Sequence, residues 1–290
     1  MQSNSSAPTV PPLPTTTSLL HFPPLDRPVL APYLPNASTS TSTTTSLPHL
    51  TLTYATSLDS LISLSPGTPT PLSSPDTKAM THYLRSMHDG ILIGVGTALA
   101  DDPSLNSRLD GLSSAQQPRP IILDPRARWL AHRDRRVIRT ARDGMGKAPW
   151  VVVAKGVEYP EERLQVLREV GGAVVEVDVD ERGWVLWTDV LRLLGEMGVR
   201  SVMVEGGGRV INGLLGVAGQ DVVSSVIVTI APIYLGTGGV VVSPEGRKEV
   251  GHDRRVPAVR FRDVVWHPMG RDVVFCGRMV GGDGPDKGGG

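Results

Sequence analysis

Runs of apolar residues, some alternating and some continuous, predict most of the strands along this chain. The stretch LTLTYA begins at Leu50 and alternates polar with apolar residues, many of them β-branched, which is typical of a strand. GILIGV begins at Gly90 and is apolar throughout, which fits a short strand buried on both faces. Further strand candidates are RPIILD, WVVVA, AVVEVDV, SVMVE, SSVIVTIAP, AVRFRDVVW and DVVFCGRM.

Helical patterns lie between several of these strands. SSPDTKAMTHYLRSMHD offers Ser74 or Asp76 as a cap and predicts a helix that ends near Asp89. Further helix candidates are PEERLQVLREV, TDVLRLLGEMG and RVINGLLGVA. Because strands alternate with helices until the last strands follow one another directly, the order predicts an α/β fold with a mixed sheet and antiparallel C-terminal strands.

The two ends of the chain differ from the part between them. Residues 1–46 are crowded with Pro, Ser and Thr, so we expect a largely disordered segment. Within it, LLHFPPLDRPVLAPYLP is apolar enough to pack on the folded part. We expect one globular domain over residues 47–280 and a flexible tail over residues 281–290.

Charge and composition exclude several classes of function. The 290 residues carry 29 Lys plus Arg and 29 Asp plus Glu, which argues against nucleic acid or an anionic membrane as a partner. Cys276 is the single cysteine, so neither a disulfide framework nor a cysteine-rich zinc site is possible. The histidines have no metal-ligand spacing, and no apolar run approaches the ~20 residues that cross a bilayer. We therefore expect a soluble, cytoplasmic protein without a metal site.

Three consecutive glycines form the strongest candidate for a nucleotide-binding turn. In SVMVEGGGRVINGLLG a buried strand ends at Glu205, and a helix begins after the glycines. Glycines let the backbone approach a ligand, and the free N–H groups of the helix then face an anion. The alternative is that the glycines only make a tight turn and that Glu205, just before them, is a solvated strand-end carboxylate.

A second stretch, GVGTALADDPSLNSRL, also follows a strand and is interpreted as a loop. It fails the dinucleotide pattern G-x-G-x-x-G because Leu99 occupies the third glycine position. Asp101 and Asp102 could cap the next turn, which explains one aspartate better than two. Arg126 and Arg128 follow another strand and are either solvated charges or contacts to a nucleotide 2′-phosphate.

In this order, the segments TLTYATSLDS, MTHYLRSMHDGILIGVGTALADDPSLNSRL, RPIILDPRARW, VMVEGGGRVINGLL and APIYLG resemble the riboflavin-pathway reductase family. The resemblance extends to the C-terminal reductase domain of the bacterial bifunctional deaminase/reductase and spans residues 47–280. It implies a dihydrofolate-reductase-like, three-layer α/β fold, a homodimer and NADPH as hydride donor. The implied reaction reduces C1′ of a phosphorylated ribosylaminopyrimidine, in its opened imine form, to a ribitylamino product.

The resemblance also implies roles for individual residues. The cofactor contacts would be Thr97, Asp101, Gly206, Gly207, Gly208, Arg209 and Val210. The substrate 5′-phosphate would meet Arg85, Asn106 and Arg108. Glu205 and Asp59 would border the pyrimidine and ribose and are the candidates for catalysis.

The chain departs from the family pattern at one position of interest. Leu61 stands where many relatives carry a basic residue, so a substrate contact made there must come from another group. This departure leaves open a reductase of a related pterin or pyrimidine, or a catalytically silent nucleotide-binding scaffold. No H-x-E with P-C-x-x-C occurs, so deaminase activity is not expected.

Overall fold

The computed structural model describes residues 19–35, 47–248 and 254–280. The helices in these ranges are α1 (Arg27–Leu30), α2 (Pro75–Ser86), α3 (Val95–Asp101), α4 (Arg136–Arg142), α5 (Glu161–Glu169), α6 (Trp187–Glu196) and α7 (Gly208–Leu215). The strands are β1 (His49–Thr56), β2 (Leu61–Ser63), β3 (Gly90–Gly94), β4 (Arg119–Leu123), β5 (Trp150–Ala154), β6 (Ala173–Val177), β7 (Ser201–Gly206), β8 (Ser225–Ile230), β9 (Val240–Val241), β10 (Arg247–Lys248), β11 (Arg255–Val256), β12 (Phe261–Met269) and β13 (Asp272–Met279).

One 9-stranded sheet organises the fold, in the order β12-β13-β8-β1-β7-β3-β4-β5-β6. Neighbours from β8 to β6 are parallel, whereas β13 runs antiparallel to β8 and β12 antiparallel to β13. The predicted α/β class, with a mixed sheet and antiparallel C-terminal strands, is therefore confirmed. Because parallel strands end at the same edge, the turns after β1, β3, β4 and β7 meet there.

Helices cover both faces of this sheet, which gives three layers. Val202 and Val204 of β7 pack in a cluster with α6 and α7, while Met203 between them packs with α2 on the opposite face. The same alternation occurs on β5, where Val152 faces α6 and Val151 lies in a cluster with residues of α3, α4 and α5. Both faces of the central strands are thus buried, as their continuous apolar runs predict.

Local signals explain where α2 begins. Ser74 is its N-cap, and its hydroxyl accepts a hydrogen bond from the Thr77 N–H at 3.4 Å. The buried Asp272 carboxylate accepts from the Ser74 N–H at 2.8 Å and from the Thr77 hydroxyl at 2.6 Å. The helix predicted from the sequence is confirmed with Ser74 as its cap, although it ends at Ser86 rather than near Asp89.

The N-terminal segment over residues 19–35 is part of the folded structure. Phe22, Leu30, Tyr33 and Leu34 are buried in one cluster with apolar residues of α2 and of the central and C-terminal strands. Residues 19–35 are the apolar patch LLHFPPLDRPVLAPYLP, which packs on the folded part as its composition suggested. Residues 1–18, 36–46 and 281–290, which carry the disorder expectations, lie outside the described residues.

A buried histidine makes stability depend on pH. His88 is 4% exposed, and its ring nitrogens lie 2.7 Å from the Leu84 carbonyl oxygen and 2.8 Å from the Thr51 hydroxyl. Burial is the main cause that lowers the pKa of His88 from 6.5 to about 4. Between these values the unfolded chain binds more protons than the folded one, so the free energy of unfolding falls as pH falls.

We expect the free energy of unfolding to drop by on the order of 1 kcal/mol for each pH unit below about 6.5, from His88 alone. Urea titrations at neutral pH and about one and a half units lower would measure this drop. A His88→Gln variant, if it folds, should show a smaller difference between the two conditions. Equal stability of the unaltered protein at both pH values would contradict the account of His88 as a neutral core residue.

Candidate functional site

A cleft of about 2190 Å³ lies at the carboxyl edge of the parallel strands. Its walls include Glu205 at the end of β7, the first turns of α3 and α7, and the cleft-facing side of α2. The proline-rich loop over residues 66–73 and the segment 180–187 before and at the start of α6 also line it. Open α/β sheets place their ligands in this position, so we assign the functional site to this cleft.

The triple glycine brings the backbone to the floor of the cleft. Gly207 is the N-cap of α7 and has φ +84° and ψ 131°, a conformation that L-residues rarely adopt. A Cβ atom at this position would lie 3.1 Å from the hydroxyl oxygen of Thr97 on α3. The turn therefore requires glycine, and it leaves the Thr97 hydroxyl and the free N–H groups of α7 beside the same space.

The proposed cofactor residues mostly meet at this end of the cleft. Those that line it are Thr97, Asp101, Gly207, Gly208, Arg209 and Val210. Gly206 does not line it; its carbonyl oxygen lies 3.6 Å from where a Cβ on Gly94 would stand, at the base of the turn. Partial desolvation raises the pKa of Asp101, a residue of the cleft lining.

The segment after β3 is a helix, so its interpretation as a loop is wrong. α3 runs from Val95 to Asp101 and ends at Asp102, which adopts a left-handed conformation with φ +41°. The Asp102 carboxylate accepts from the Arg136 main-chain N–H at 3.2 Å, at the start of α4. Asp102 thus links the end of α3 to the start of α4 by a hydrogen bond, while Asp101 lines the cleft.

Glu205 forms an ion pair with Arg85 of α2. Nε and Nη2 of Arg85 each donate to one Glu205 oxygen at 2.6 Å, and both side chains are 14% exposed. Nη1 of Arg85 donates to the Asn106 carbonyl oxygen at 3.0 Å. All three nitrogens of Arg85 therefore donate to protein acceptors, and two of these bonds fix the Glu205 carboxylate in place.

Arg108, in contrast, lacks a carboxylate partner among the described residues. Its main-chain N–H donates to Nδ1 of His82 at 3.0 Å, while its Nε and Nη2 lie 3.3 and 3.2 Å from Nε2 of the same ring. A neutral imidazole accepts at one ring nitrogen only, so the His82 ring accepts either from the Arg108 main-chain N–H or from its guanidinium. Burial, followed by the charge of Arg85, lowers the pKa of Arg108. Its guanidinium remains available for an anion.

His82 and Lys78 complete this cationic end of the cleft, and sequence reasoning missed both. Burial and then the charges of Arg85, Arg108 and Lys78 lower the pKa of His82 to about 2, so the ring is neutral. Lys78, His82 and Arg85 all line the cleft from one side of α2. Their spacing of four and three residues in a helix already signalled a shared face.

Two further sequence expectations concern residues outside the cleft lining, Asn106 and Leu61. The Asn106 side chain donates to the Met145 carbonyl oxygen at 3.0 Å, and its main chain anchors Arg85. Leu61 is buried and pairs with Val241 of β9, so its own side chain does not contribute a cleft contact. Lys78 on α2 is one of the basic residues that do line the cleft.

Asp59 fastens two loops together. Its carboxylate accepts from the Ser57 hydroxyl at 2.5 Å and from the Leu235 and Gly236 N–H groups at 3.1 and 2.8 Å. The Ser57 hydrogen bond is the largest cause that lowers the pKa of Asp59 to about 2. At neutral pH this carboxylate is ionised, which argues against a role as proton donor.

Arginines line another part of the cleft, after β4 and on α4. They are Arg126, Arg128, Arg136 and Arg139. Only Arg128 has a carboxylate within 4.0 Å among the described residues, since its Nε lies 3.7 Å from the buried Asp124. The same described residues contain no cluster of His, Cys, Asp or Glu that could hold a metal ion. They also contain no helix of the length and apolarity that a membrane crossing needs.

A glycine turn at a helix start and a cationic patch both lie at the carboxyl edge of a mostly parallel sheet, an arrangement typical of nucleotide-binding α/β proteins. Comparison with known sequences then specifies the class further. The chain belongs to the RibD C-terminal domain family, whose model matches residues 48–275.

Two relatives with the same name match most of this chain. The 2,5-diamino-6-ribosylamino-4(3H)-pyrimidinone 5′-phosphate reductase of Debaryomyces hansenii is 40% identical over 269 residues, or 91% of this chain and 100% of the relative. The reductase of that name from Eremothecium gossypii is 43% identical over 259 residues, or 87% of this chain and 95% of the relative.

Solved structures agree with this family. The riboflavin biosynthesis reductase Rib7 of Saccharomyces cerevisiae superposes with a TM-score of 0.70 at 36% identity, covering 88% of this chain and 100% of the other. RibD of Acinetobacter baumannii superposes with a TM-score of 0.61 at 18% identity, covering 81% and 59%, and supports the fold alone.

Proposed function

We propose that this protein is a NADPH-dependent reductase of riboflavin biosynthesis that acts on 2,5-diamino-6-ribosylamino-4(3H)-pyrimidinone 5′-phosphate. The single observation that carries the proposal is a cleft with two differently built ends. One end has a glycine turn and a helix N-terminus, and the other has Lys78 and Arg108, for which the described part of the chain supplies no carboxylate partner. The names of the fungal relatives supply the reaction that fits this arrangement.

The glycine end fits a dinucleotide. A Cβ atom on Gly208 would lie 2.6 Å from a methyl group of Val240, so the turn keeps the backbone where a side chain cannot stand. The N–H groups of α7 would receive the pyrophosphate, and Thr97 and Asp101 would accept from or donate to its neutral groups. The bound nicotinamide would supply a hydride to C1′ of the substrate, whose nitrogen takes up a proton.

The cationic end fits a phosphomonoester, which carries close to two negative charges at neutral pH. Arg108 offers a planar fork of donors, Lys78 adds a second charge, and the neutral His82 ring lies beside the Arg108 guanidinium. Arg85 and Asn106, which the sequence also assigned to the phosphate, would act by holding Glu205 and the Arg108 loop.

Glu205 lies in the cleft lining, and its carboxylate is fixed in place by Arg85. We assign it to orient the substrate by accepting hydrogen bonds from hydroxyl or amino groups of the substrate. Asp59 would contribute through the turn that it fastens. Protonation would then come from solvent or from the substrate itself.

A homodimer in the cytoplasm remains part of this proposal. Support for a second copy comes from β12 at the edge of the sheet, where Val264, Val265 and Trp266 are exposed. Exposed apolar side chains on an edge strand favour association with another surface. Sedimentation of Trp266→Asp, compared with the unaltered protein, would test whether this strand is the contact.

Mixing purified protein with NADPH and the ribosylaminopyrimidine phosphate, and following the loss of reduced-nicotinamide absorbance, tests the reaction. We expect oxidation that depends on substrate. Cofactor binding without oxidation would favour the silent scaffold, and oxidation only with another pyrimidine or pterin would favour the related reductase.

Replacing Arg126 by alanine is expected to raise the KM for NADPH by about 5- to 20-fold and to leave the KM for NADH unchanged. The reason is that a cluster of guanidinium groups near the cofactor fits the additional 2′-phosphate of NADPH. Arg133→Ala is the matched control, because Arg133 pairs with Glu169 and does not line the cleft. Equal changes for both cofactors would contradict the assignment of the 2′-phosphate.

A further inference from the structure

The N-terminal strap, defined as residues 19–35, is hydrogen-bonded to the main chain of Arg108. The Leu20 N–H donates to the Arg108 carbonyl oxygen at 2.8 Å, and the Asp110 N–H donates to the Leu20 carbonyl oxygen at 3.2 Å. These bonds form a parallel bridge between Leu20 and Leu109. The Arg108 N–H is bound on its other side by His82. The strap thus binds the main-chain carbonyl group of Arg108, while His82 of α2 binds its main-chain N–H group.

The strap also packs on α2 directly beside His82. The Phe22 ring is 1% exposed and stacks on the Tyr83 ring, with centroids 4.9 Å apart and an interplanar angle of 24°. The Arg27 guanidinium lies 5.3 Å from the centroid of the same Tyr83 ring, and its Nη2 donates to the Phe22 carbonyl oxygen at 3.2 Å. One strap therefore contacts both elements that form the cationic end of the cleft.

The rest of the strap is bound to strands β8 and β12 at the other side of the sheet order. The Tyr33 carbonyl oxygen accepts from the Ser225 hydroxyl at 2.6 Å, at the start of β8. The Asp26 carboxylate lies 3.0 Å from Nε2 of His267 on β12. Because both ends are tied down, the strap has a defined position from which to fix the Arg108 loop.

We infer that the N-terminal strap is a positioning element for substrate binding, which sets the Arg108 guanidinium at the cationic end of the cleft through Leu20 and Phe22. None of residues 19–35 lines the cleft, so the strap acts through Arg108 and α2 and not by touching the ligand. The inference rests on the proposed function, since it takes the cationic end as the substrate phosphate site. A displacement of about 1 Å in a binding group can lower a rate by up to about 100-fold.

The first test is Phe22→Ala, measured by steady-state kinetics with both reactants varied. We expect the KM for the phosphorylated substrate to rise by about 10-fold, with kcat and the KM for NADPH within about twofold. Phe22→Leu, which keeps an apolar group in place, should restore most of the loss. Leu30→Ala is the matched control, because Leu30 is a buried residue of the same strap and cluster. Within the described residues it makes no hydrogen bond or ring contact with α2 or Arg108, and we expect it to lower Tm without changing either KM.

A second pair of variants separates the hydrogen bond from packing, because both members remove the same partly buried Leu20 side chain. Leu20→Pro removes the N–H that donates to Arg108, whereas Leu20→Ala keeps it. The proposal expects a raised substrate KM for the proline variant alone. An unchanged substrate KM in Phe22→Ala and Leu20→Pro, or an equal rise in Leu30→Ala, would overturn it. Turnover by the unaltered protein is measured first, so that a failure of the proposed reaction is distinguished from a failure of the strap.

Discussion

Arg108→Ala is expected to raise the KM for the phosphorylated substrate by about 10- to 150-fold. This increase corresponds to the loss of about 1.5–3 kcal/mol, which is what a hydrogen bond to a charged group contributes. Arg108 is the half-buried guanidinium whose donors face a neutral histidine instead of a carboxylate. On the proposed assignment, removing Arg108 would take away the planar donor fork and leave Lys78 as the cation beside the phosphate.

The comparison of the two reactants makes this prediction specific. The KM for NADPH should stay within about twofold, because the glycine turn and α7 are unchanged. The substrate KM of Arg108→Lys should lie between those of the unaltered protein and of Arg108→Ala, because an ammonium group keeps the charge but lacks the planar fork. Equal increases for both reactants would show that the cationic end of the cleft does not belong to the substrate.

Gly207→Ala is expected to lower kcat/KM for NADPH by about 10- to 100-fold. At φ +84° and ψ 131°, an L-residue carries strain on the order of 1–3 kcal/mol. Its Cβ would also stand 3.1 Å from the Thr97 hydroxyl oxygen, so the turn or α3 must shift where the cofactor approaches.

Gly195→Ala on α6 provides the matched control for this change. It lies outside the cleft, where a Cβ would make ordinary contact with Pro48 at 3.5 Å and has no positive φ. We expect its activity to match that of the unaltered protein. Fluorescence titration with NADPH would separate weaker binding from slower reaction, and unchanged cofactor affinity in Gly207→Ala would contradict the assignment of this turn.

Strong local patterns predicted the framework of the fold. WVVVA is β5 from Trp150 to Ala154, and Ser74 caps α2, because each depends on neighbouring residues only. α3 was missed because it begins after Gly94 without a side-chain cap and contains Gly96, two signals that favour a loop. α4 was missed as well, since RVIRTAR is short and highly charged.

The candidate site was predicted less completely, since its contacts join residues far apart in the chain. Arg85 and Glu205 are separated by 120 positions, so no local pattern shows that they form an ion pair. Without that pair, Arg85 looks as suitable for a phosphate as Arg108 does. The contact between the strap and the Arg108 loop could not be predicted from local patterns either, because only the fold brings Leu20 beside Arg108.

Transfer of deuterium tests the central claim most directly. NADPH dideuterated at C4 of the nicotinamide would be incubated with the protein and the ribosylaminopyrimidine phosphate, and the product analysed by mass spectrometry and NMR. The account predicts a product one mass unit heavier than that formed with unlabelled NADPH, with the deuterium at C1′ of the ribityl side chain. Oxidised cofactor without deuterium at C1′, or no product at all, would contradict it.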